Sequence, residues 1–208
     1  RLPPRSSPLT APMEITETER LLRDTFRSYF TREIEPHVPA MEGGTMLPYP
    51  LMRPMHEALG LDALLSRTPK KPGAAGTRSD AADPSGLDAN TVRYARTTFT
   101  VEMSRISPSF TLSYGASLGL FAGNVLGKGT PEQIERWAQP VLRAEKIGCW
   151  GLTEPGSGSD ALGGMKTTAR RDGDHYVLNG SKTFITNAPY ADVFLVLARL
   201  EGGDGAGS

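Results

Sequence analysis

The sequence predicts an α+β protein, in which an α-helical domain is followed by a β domain. Up to about residue 146, apolar residues recur at three- and four-residue steps, the period of an amphipathic helix. From Ile147 onward the pattern changes to short alternating or apolar runs, separated by the turn dipeptides Asp172-Gly173 and Asn179-Gly180. We therefore predict a disordered leader over 1–13, a helical domain over 14–146 with a mobile loop over 66–87, and a truncated β domain over 147–208.

The first helix is predicted to begin near Thr16, which has capping-box spacing to Glu19. A single apolar stripe follows, formed by Leu22, Phe26, Tyr29, Phe30 and Ile34. Pro36 and Pro39 are predicted to end this helix, because proline lacks the backbone N–H that a helix interior needs.

Four further helices are predicted, each with a start or stop signal. The second runs from Pro50 to about Leu59 and stops at Gly60; the third begins at Asp88 and stops before Pro108. A helix over 109–126 is rich in small residues, for which tight helix packing is the first interpretation. Thr130, Pro131 and Gln133 open the last helix, which ends near Arg143.

Besides a strand that leads into the segment beginning at Trp150, four strands are predicted in the β domain, and antiparallel pairing is expected. They are Met165–Arg171, His175–Leu178, Ser181–Thr186 and Asp192–Leu200. The last of these is nearly continuous in apolar residues, which predicts a strand buried on both faces.

Charge and composition exclude several classes of function. Lys plus Arg and Asp plus Glu number 23 each, so the formal net charge is zero and no overall attraction to nucleic acid is expected. Cys149 is the single cysteine, which excludes an internal disulfide and fits a reducing compartment. No apolar run predicts a membrane span, and the three histidines show no metal-ligand spacing, so we predict no metal site.

The segment Trp150-Gly-Leu-Thr-Glu-Pro-Gly-Ser-Gly-Ser-Asp160 is the first stretch that suggests chemistry. A strand leads into a loop whose glycine and hydroxyl positions can lay backbone N–H groups against a polar, planar ligand. It is neither a Rossmann fingerprint nor a phosphate-binding P-loop, since the residues that those motifs require do not follow. Taken alone, the segment is better interpreted as a Gly/Ser surface turn.

The segment Lys182-Thr-Phe-Ile-Thr-Asn187 is the second such stretch. On a strand, Phe184 and Thr186 would lie on the same face, because side chains two apart point the same way. An aromatic ring beside a hydroxyl suits a flavin, although ordinary sheet packing explains such a pair as well.

Taken together, in this order and spacing, TEPGSGSD and VLNGSKTFITN resemble the acyl-CoA dehydrogenase family. The resemblance is clear over about 127–200 and weaker over 14–126. It implies the family's N-terminal helical and β-barrel-like middle domains, with the C-terminal helical-bundle domain not present in this sequence. Phe184 stands where many relatives have tryptophan, a change between two flat apolar rings.

The resemblance also implies FAD, a fatty acyl-CoA substrate and a set of binding residues. In the family a carboxylate removes the α proton while hydride passes from the β carbon to flavin N5. The cofactor residues carried over by motif position are Trp150, Leu152, Thr153, Gly158, Ser159, Phe184, Ile185 and Thr186. Ser159 is also placed near the CoA arm, as a substrate contact.

The family's catalytic glutamate belongs to the C-terminal domain, so the catalytic base is expected outside this chain. Glu154 lies within the loop motif and is assigned a structural role, and Cys149 is assigned to packing. The resemblance further implies an electron-transfer flavoprotein as electron acceptor, a homodimer or homotetramer, and a cytoplasmic or mitochondrial-matrix location.

Three alternatives remain open at this point. The same fold serves acyl-CoA oxidases, carrier-protein-linked dehydrogenases and flavin oxygenases. A non-catalytic FAD-binding subunit is the second alternative. The third is the DNA-associated branch of the superfamily, against which the zero net charge argues. The acyl chain is not specified by the motifs, which look as much like the glutaryl-CoA group as like straight-chain enzymes.

Overall fold

A computed structural model describes residues 15–62 and 86–202. The predicted leader and all but the last two residues of the predicted loop 66–87 therefore lie outside the described residues. Within that part of the chain the architecture is α+β, as predicted: the last helix before the strands ends at Leu142 and the first strand begins at Gly148.

Helix α1 spans Glu17–Tyr29 and begins with the predicted capping box. The Thr16 hydroxyl accepts a hydrogen bond from the Glu19 N–H at 3.2 Å, and the Glu19 carboxylate accepts one from the Thr16 N–H at 2.8 Å. These two bonds satisfy N–H groups that have no partner inside the helix.

The predicted end of this helix at Pro36 and Pro39 is wrong. The chain stays helical through a π-helical segment Phe30–Ile34, a 3₁₀ turn Glu35–His37 and helix α2, Val38–Glu42. Each proline occupies the first turn of its new segment, where the missing N–H has no intrahelical partner to lose. The prolines therefore divide the helical path without ending it.

The remaining predicted helices are confirmed, with two π-helical interruptions at Ala116–Ala122 and Ile134–Ala138. Gly60 stops α3 in the left-handed conformation at φ 60°, and the Asp88 carboxylate caps α4. The bounds are α3 Met52–Leu59, α4 Ala89–Ile106, α5 Pro108–Gly115, α6 Gly123–Lys128, α7 Pro131–Gln133 and α8 Gln139–Leu142. Among the described residues, no helix is long and apolar enough to span a bilayer.

Two apolar clusters hold the helices together. In the first, Phe26 and Phe30 of the α1 stripe pack on Phe99 of α4, with ring centroids 5.5 and 5.3 Å apart. The second cluster lies between the two later π-helical segments and includes Phe121 and Ala138. Val193 and Leu195 from the β region pack against the second cluster, so the helices directly support the first sheet.

The strands form two small sheets that do not close into a barrel within the described residues. Strand β1 pairs in parallel with β4, while β2 lies between an antiparallel β3 and a parallel β5. The expectation of antiparallel pairing thus holds for one pair of the three. The bounds are β1 Gly148–Gly151, β2 Thr168–Asp172, β3 His175–Asn179, β4 Val193–Val196 and β5 Arg199–Leu200.

The predicted continuous strand Asp192–Leu200 is wrong, because the chain changes sheets within it. The Leu197 N–H still bonds to the Gly151 carbonyl of β1, but the Arg199 N–H bonds to the Thr167 carbonyl beside β2. Phe194 is 54% exposed, so this stretch is not buried on both faces.

Candidate functional site

The loop 152–160 leaves β1 and is closed on itself by short-range hydrogen bonds. Glu154 and Ser157 exchange backbone bonds of 3.0 and 3.1 Å, and the Asp160 carboxylate accepts from the Gly163 N–H at the start of a short helix, α9, Ala161–Gly164. Gly158 and Ser159 remain exposed. The loop is therefore a fixed turn that exposes Gly158 and Ser159, whereas Ser157 is buried and its hydroxyl donates to the Asp160 carbonyl.

Glu154 is nearly buried and its carboxylate is fully engaged. It accepts hydrogen bonds from the Lys166 N–H at 2.7 Å, the Thr167 N–H at 2.9 Å and the Lys182 ammonium at 2.9 Å. The Thr167 side chain, the Lys182 ammonium and these N–H groups hold the pKa of Glu154 well below its usual range. A carboxylate held ionised in this way is a poor proton acceptor, which supports a structural role.

The predicted strand Ser181–Thr186 is wrong, because β3 ends at Asn179 and the chain continues as an irregular loop. Phe184 adopts φ 55°, in the left-handed region that an aromatic residue rarely occupies. Its ring is 92% exposed. Phe184 and Thr186 therefore do not share a strand face, and their relative placement is set by loop geometry.

The two motif stretches nevertheless meet in space. The Thr183 N–H donates to the Thr153 carbonyl at 3.0 Å. The Lys182 ammonium lies 3.0 Å from the Leu152 carbonyl and 2.9 Å from the Glu154 carboxylate, with only 12% of its side chain exposed. Lys182, whose charge is paired with that of Glu154, thus joins the second motif to the first.

Asn187, the last residue of the second motif, is buried and holds the loop from the other side. Its amide nitrogen donates to the Ser113 carbonyl at 2.8 Å and to the Gly148 carbonyl at 3.2 Å, while its amide oxygen accepts from the Tyr49 hydroxyl at 3.1 Å. The sequence predicted roles for residues 184–186 and none for Lys182 or Asn187. Both belong to the motifs, but their spatial partners are 28 to 138 positions away in the chain, which spacing alone does not reveal.

The small-residue helical stretch supports β1 by close packing, in agreement with its first interpretation. The Ser117 hydroxyl accepts from the Gly148 N–H at 2.9 Å, and a Cβ at Gly148 would lie 2.6 Å from the Phe121 ring. Gly148 thus allows the strand to approach the helix. Cys149, on the same strand, is fully buried and burial raises the pKa of its thiol, which favours a packing role.

Trp150 is separated from the other predicted cofactor residues by its place on the sheet. It lines an open cavity of about 680 Å³ between the α6 region and β4, together with Phe121, Trp137 and Phe194. The other seven predicted residues are not part of this lining. Four of these seven are half-buried: Leu152 and Thr153 in the first motif, and Ile185 and Thr186 in the second. In the part of the chain that the structure describes, no cluster of His, Cys, Asp and Glu is suited to a metal ion.

Comparison with known proteins agrees with this arrangement. The family model for the acyl-CoA dehydrogenase N-terminal domain matches residues 16–145, and the one for the acyl-CoA dehydrogenase middle domain matches residues 149–208. The bovine (Bos taurus) mitochondrial short-chain specific acyl-CoA dehydrogenase is 36% identical over 186 residues, which is 89% of this chain and 41% of that protein.

Two further relatives show the range of the similarity. The 3-(aryl)acrylate reductase of Clostridium sporogenes is 34% identical over 91% of this chain and 45% of its own length. The structure of a glutaryl-CoA dehydrogenase from Mycobacterium smegmatis in complex with FADH2 superposes with a TM-score of 0.71 at 27% identity, covering 91% of this chain and 44% of that one. The chain thus spans less than half the length of these relatives. Because the two family models together match nearly all of it, the chain belongs to the acyl-CoA dehydrogenase family.

Proposed function

We propose that the full-length protein is an FAD-dependent acyl-CoA dehydrogenase that introduces an α,β double bond into an acyl-CoA thioester. The observation that carries this proposal is the joining of the two motifs by the Thr183–Thr153 and Lys182–Leu152 contacts. These contacts hold residues 152–154 beside residues 182 and 183, so two of the segments that the family resemblance assigns to flavin adjoin each other. Family membership supports the reaction class.

The residues present fit a flavin. The hydroxyl groups of Thr153 and Thr186 have no hydrogen-bond partner among the described residues, although both side chains are half-buried. Phe184 is exposed and has a left-handed backbone, a conformation that costs free energy unless the surroundings enforce it. A hydroxyl without a partner can donate to the polar edge of a planar cofactor, and an exposed aromatic ring can cover an apolar edge. FAD bound there would supply the hydride acceptor.

The chain's own residues bind and orient in this proposal. Thr153 and Thr186 would donate hydrogen bonds to the polar edge of the flavin, and Phe184 would cover an apolar edge. Trp150, Leu152 and Ile185 would add apolar contacts, and Gly158 and Ser159 would bind FAD through the exposed loop, with Ser159 also near the CoA arm. Glu154 takes no part in proton removal, since its carboxylate is already occupied.

The partners and location are proposed on the same ground. We infer electron transfer to an electron-transfer flavoprotein, assembly as a homodimer or homotetramer, and a cytoplasmic location, or the mitochondrial matrix in a eukaryote. The bovine relative is a mitochondrial protein. The substrate is expected to have a short or an acidic acyl chain, since both short-chain and glutaryl-CoA enzymes resemble this chain.

The test is an anaerobic titration of the purified full-length protein with a panel of acyl-CoA thioesters, short, long and dicarboxylic. Bleaching of the flavin absorbance by at least one thioester is expected, and bleaching by none would overturn the proposal. Thr153→Val should reduce FAD affinity about tenfold, through loss of one hydrogen bond to the flavin. Thr100→Val is the matched control, because the Thr100 hydroxyl is exposed on α4 and bonds only to the Arg96 carbonyl four residues earlier.

A second candidate is the reverse reaction, reduction of a conjugated double bond, which the similarity to 3-(aryl)acrylate reductase favours. Mixing the reduced protein with 2-enoyl thioesters and with free acrylates distinguishes the two. Reoxidation of the flavin by an acrylate faster than by oxygen or by an electron-transfer flavoprotein would favour the reductase. Rapid reoxidation by oxygen alone would instead favour an oxidase or an oxygenase of the same fold.

A further inference from the structure

Asn187 uses its whole side-chain amide to join three separate elements. Its two donors reach the Ser113 carbonyl of α5 and the Gly148 carbonyl of β1, and its oxygen receives the Tyr49 hydroxyl. Only 5% of the residue is exposed, so these bonds are shielded from competing water. In the described structure, Asn187 is thus the meeting point of the helical region, the first sheet and the second motif.

The backbone of Asn187 selects the residue as strongly as its side chain does. Its φ of 70° lies in the left-handed region, which glycine and asparagine adopt more readily than other residues. Phe184 also has a left-handed φ, of 55°. Ile185 and Thr186 therefore lie between two unusual backbone positions, and the downstream one is fixed by the Asn187 amide.

The helical partner of Asn187 lies at a change in helix geometry. Ser113 is three residues before the π-helical segment Ala116–Ala122, in which the helix hydrogen bonds are re-registered. Such segments are rare and recur at functional sites. The same segment contacts β1 through the Ser117 hydroxyl and the Gly148 N–H, next to the carbonyl that Asn187 holds. A movement of the helix that carries Ser113 would therefore displace residues 185 and 186 through the side-chain amide of Asn187.

We propose that Asn187 is a positioning residue, which sets the place of Thr186 and Ile185 at the flavin relative to the helix that carries Ser113. This inference rests on the proposed flavin site. Lys182 and Thr183 already attach the start of the motif to the loop 152–154, so Asn187 has a distinct task at its end. Asn187 touches no reacting atom in this proposal and acts through Thr186.

The experiment compares Asn187→Gly, Asn187→Asp and Tyr49→Phe in the full-length FAD-bound protein. Glycine keeps the left-handed backbone but removes the amide, and aspartate keeps the shape but replaces two donors by acceptors that face carbonyl oxygens. Tyr49→Phe removes one of the three bonds and leaves the motif sequence intact. Asn90→Asp is the matched control, since Asn90 is exposed in the first turn of α4 and lies outside both motifs.

The readouts are the midpoint potential of the flavin, measured with a chemical reductant, and the rate constant of flavin reduction by the best thioester. We expect Asn187→Gly and Asn187→Asp to slow reduction by about ten- to a hundredfold and to shift the potential, with a smaller effect of the same sign in Tyr49→Phe, because small misplacements of reacting groups are costly. Asn90→Asp should behave as wild type.

Unchanged potential and rate in a folded, FAD-bound Asn187 variant would overturn the proposal. If neither Asn187 variant folds with FAD, Tyr49→Phe decides, and a wild-type rate and potential in that variant would count against it. If wild-type FAD is not reduced by any thioester, the proposed reaction fails while the potential still tests the positioning role.

Discussion

The helical and β regions of this chain are stabilised in different ways. The helices bury aromatic and aliphatic side chains in two clusters, and Phe30, Met52 and Met55 are completely buried. By contrast, all five residues of β3 are exposed, including Tyr176 and Leu178. The motif loops next to the sheets are held chiefly by buried polar contacts. The helices are therefore organised by apolar burial, whereas the candidate flavin site is organised by a few charged and amide side chains.

The largest effect on stability is expected from Phe30→Ala. Phe30 is 0% exposed and its ring contacts Tyr29 and Phe99, so truncation leaves a cavity in the first cluster. Large-to-small changes of this kind cost about 3–5 kcal/mol of the free energy of unfolding. Chemical denaturation of the two proteins measures the difference. Leu21→Ala is the control, because Leu21 is 68% exposed on α1, which leads directly into the π-helical segment that begins at Phe30, and its loss should be nearly neutral. Equal effects would show that Phe30 is not packed as described.

The next effect is expected in the β region, from Glu154→Gln. The substitution keeps the shape but leaves the Lys182 ammonium without a charged partner and offers an NH2 group where N–H groups of residues 166 and 167 need acceptors. We expect a lower unfolding midpoint and FAD binding weakened roughly tenfold or more, since bonds to charged groups are among the stronger ones.

Glu132→Gln is the control for that substitution, because Glu132 is an exposed glutamate in the first turn of α7. Thermal unfolding and FAD titration of the two variants provide the comparison. Retention of wild-type FAD affinity by Glu154→Gln would mean that FAD binding does not need the ion pair between Glu154 and Lys182, which joins the two motifs. A loss of affinity in Glu154→Gln with unchanged helical content would show that the two regions are stabilised separately.

The difference between the regions also explains what the sequence could predict. Helix caps such as Thr16–Glu19, and the stripe containing Phe26 and Phe30, depend on residues a few positions apart, so the pattern specifies them. The second motif depends on partners from distant elements. A repeating pattern cannot show that Lys182 turns back to Leu152, nor that Asn187 reaches Tyr49, and the predicted strand Ser181–Thr186 failed for that reason.

The same distinction applies to the candidate site as a whole. The identities of Thr153, Phe184 and Thr186 followed from motif resemblance, but their geometry did not, because a motif does not specify the left-handed φ that Phe184 adopts. In the apolar run after Asp192, the chain first pairs with β1 and then with β2, and the sequence pattern did not show this change of partner either. Periodicity describes how much of a segment is buried, and it does not name the strand on which the segment pairs.

A pH effect of intermediate size is expected from the helical core. His56 is 1% exposed, with its ring nitrogens 2.9 Å from the Asp62 carboxylate and 2.8 Å from the Tyr114 hydroxyl. Burial lowers the pKa of His56, against the opposing effect of Asp62, so the unfolded chain binds a proton at a higher pH than the folded one does. Stability should therefore be greatest above about pH 6.5 and fall as pH decreases through that value towards the folded pKa.

The measurement is the unfolding midpoint of wild type and of His56→Gln at about pH 7.5 and about pH 5.5. Both pH values lie about one unit or more above the ordinary pKa of a carboxyl group, so titration of Asp and Glu contributes little. The loss of stability between these pH values should be smaller in His56→Gln. Tyr114→Phe serves as the control, since it removes a contact of His56 but leaves the imidazole to titrate. Equal pH dependence in wild type and His56→Gln would show that another group is responsible.

The smallest effect is expected at the start of α1, from Thr16→Ala. This change removes the hydroxyl that accepts from the Glu19 N–H, and cap losses cost about 1 kcal/mol. Thr16→Ser keeps an acceptor at the same position and should restore most of the loss, which separates the cap from general effects of substitution. Because the cap lies far in sequence from the motif loops, FAD affinity should not change in either variant. A parallel fall in FAD affinity and in stability would contradict the separation of the two regions, since it would mean that the helical domain and the candidate site unfold as one unit.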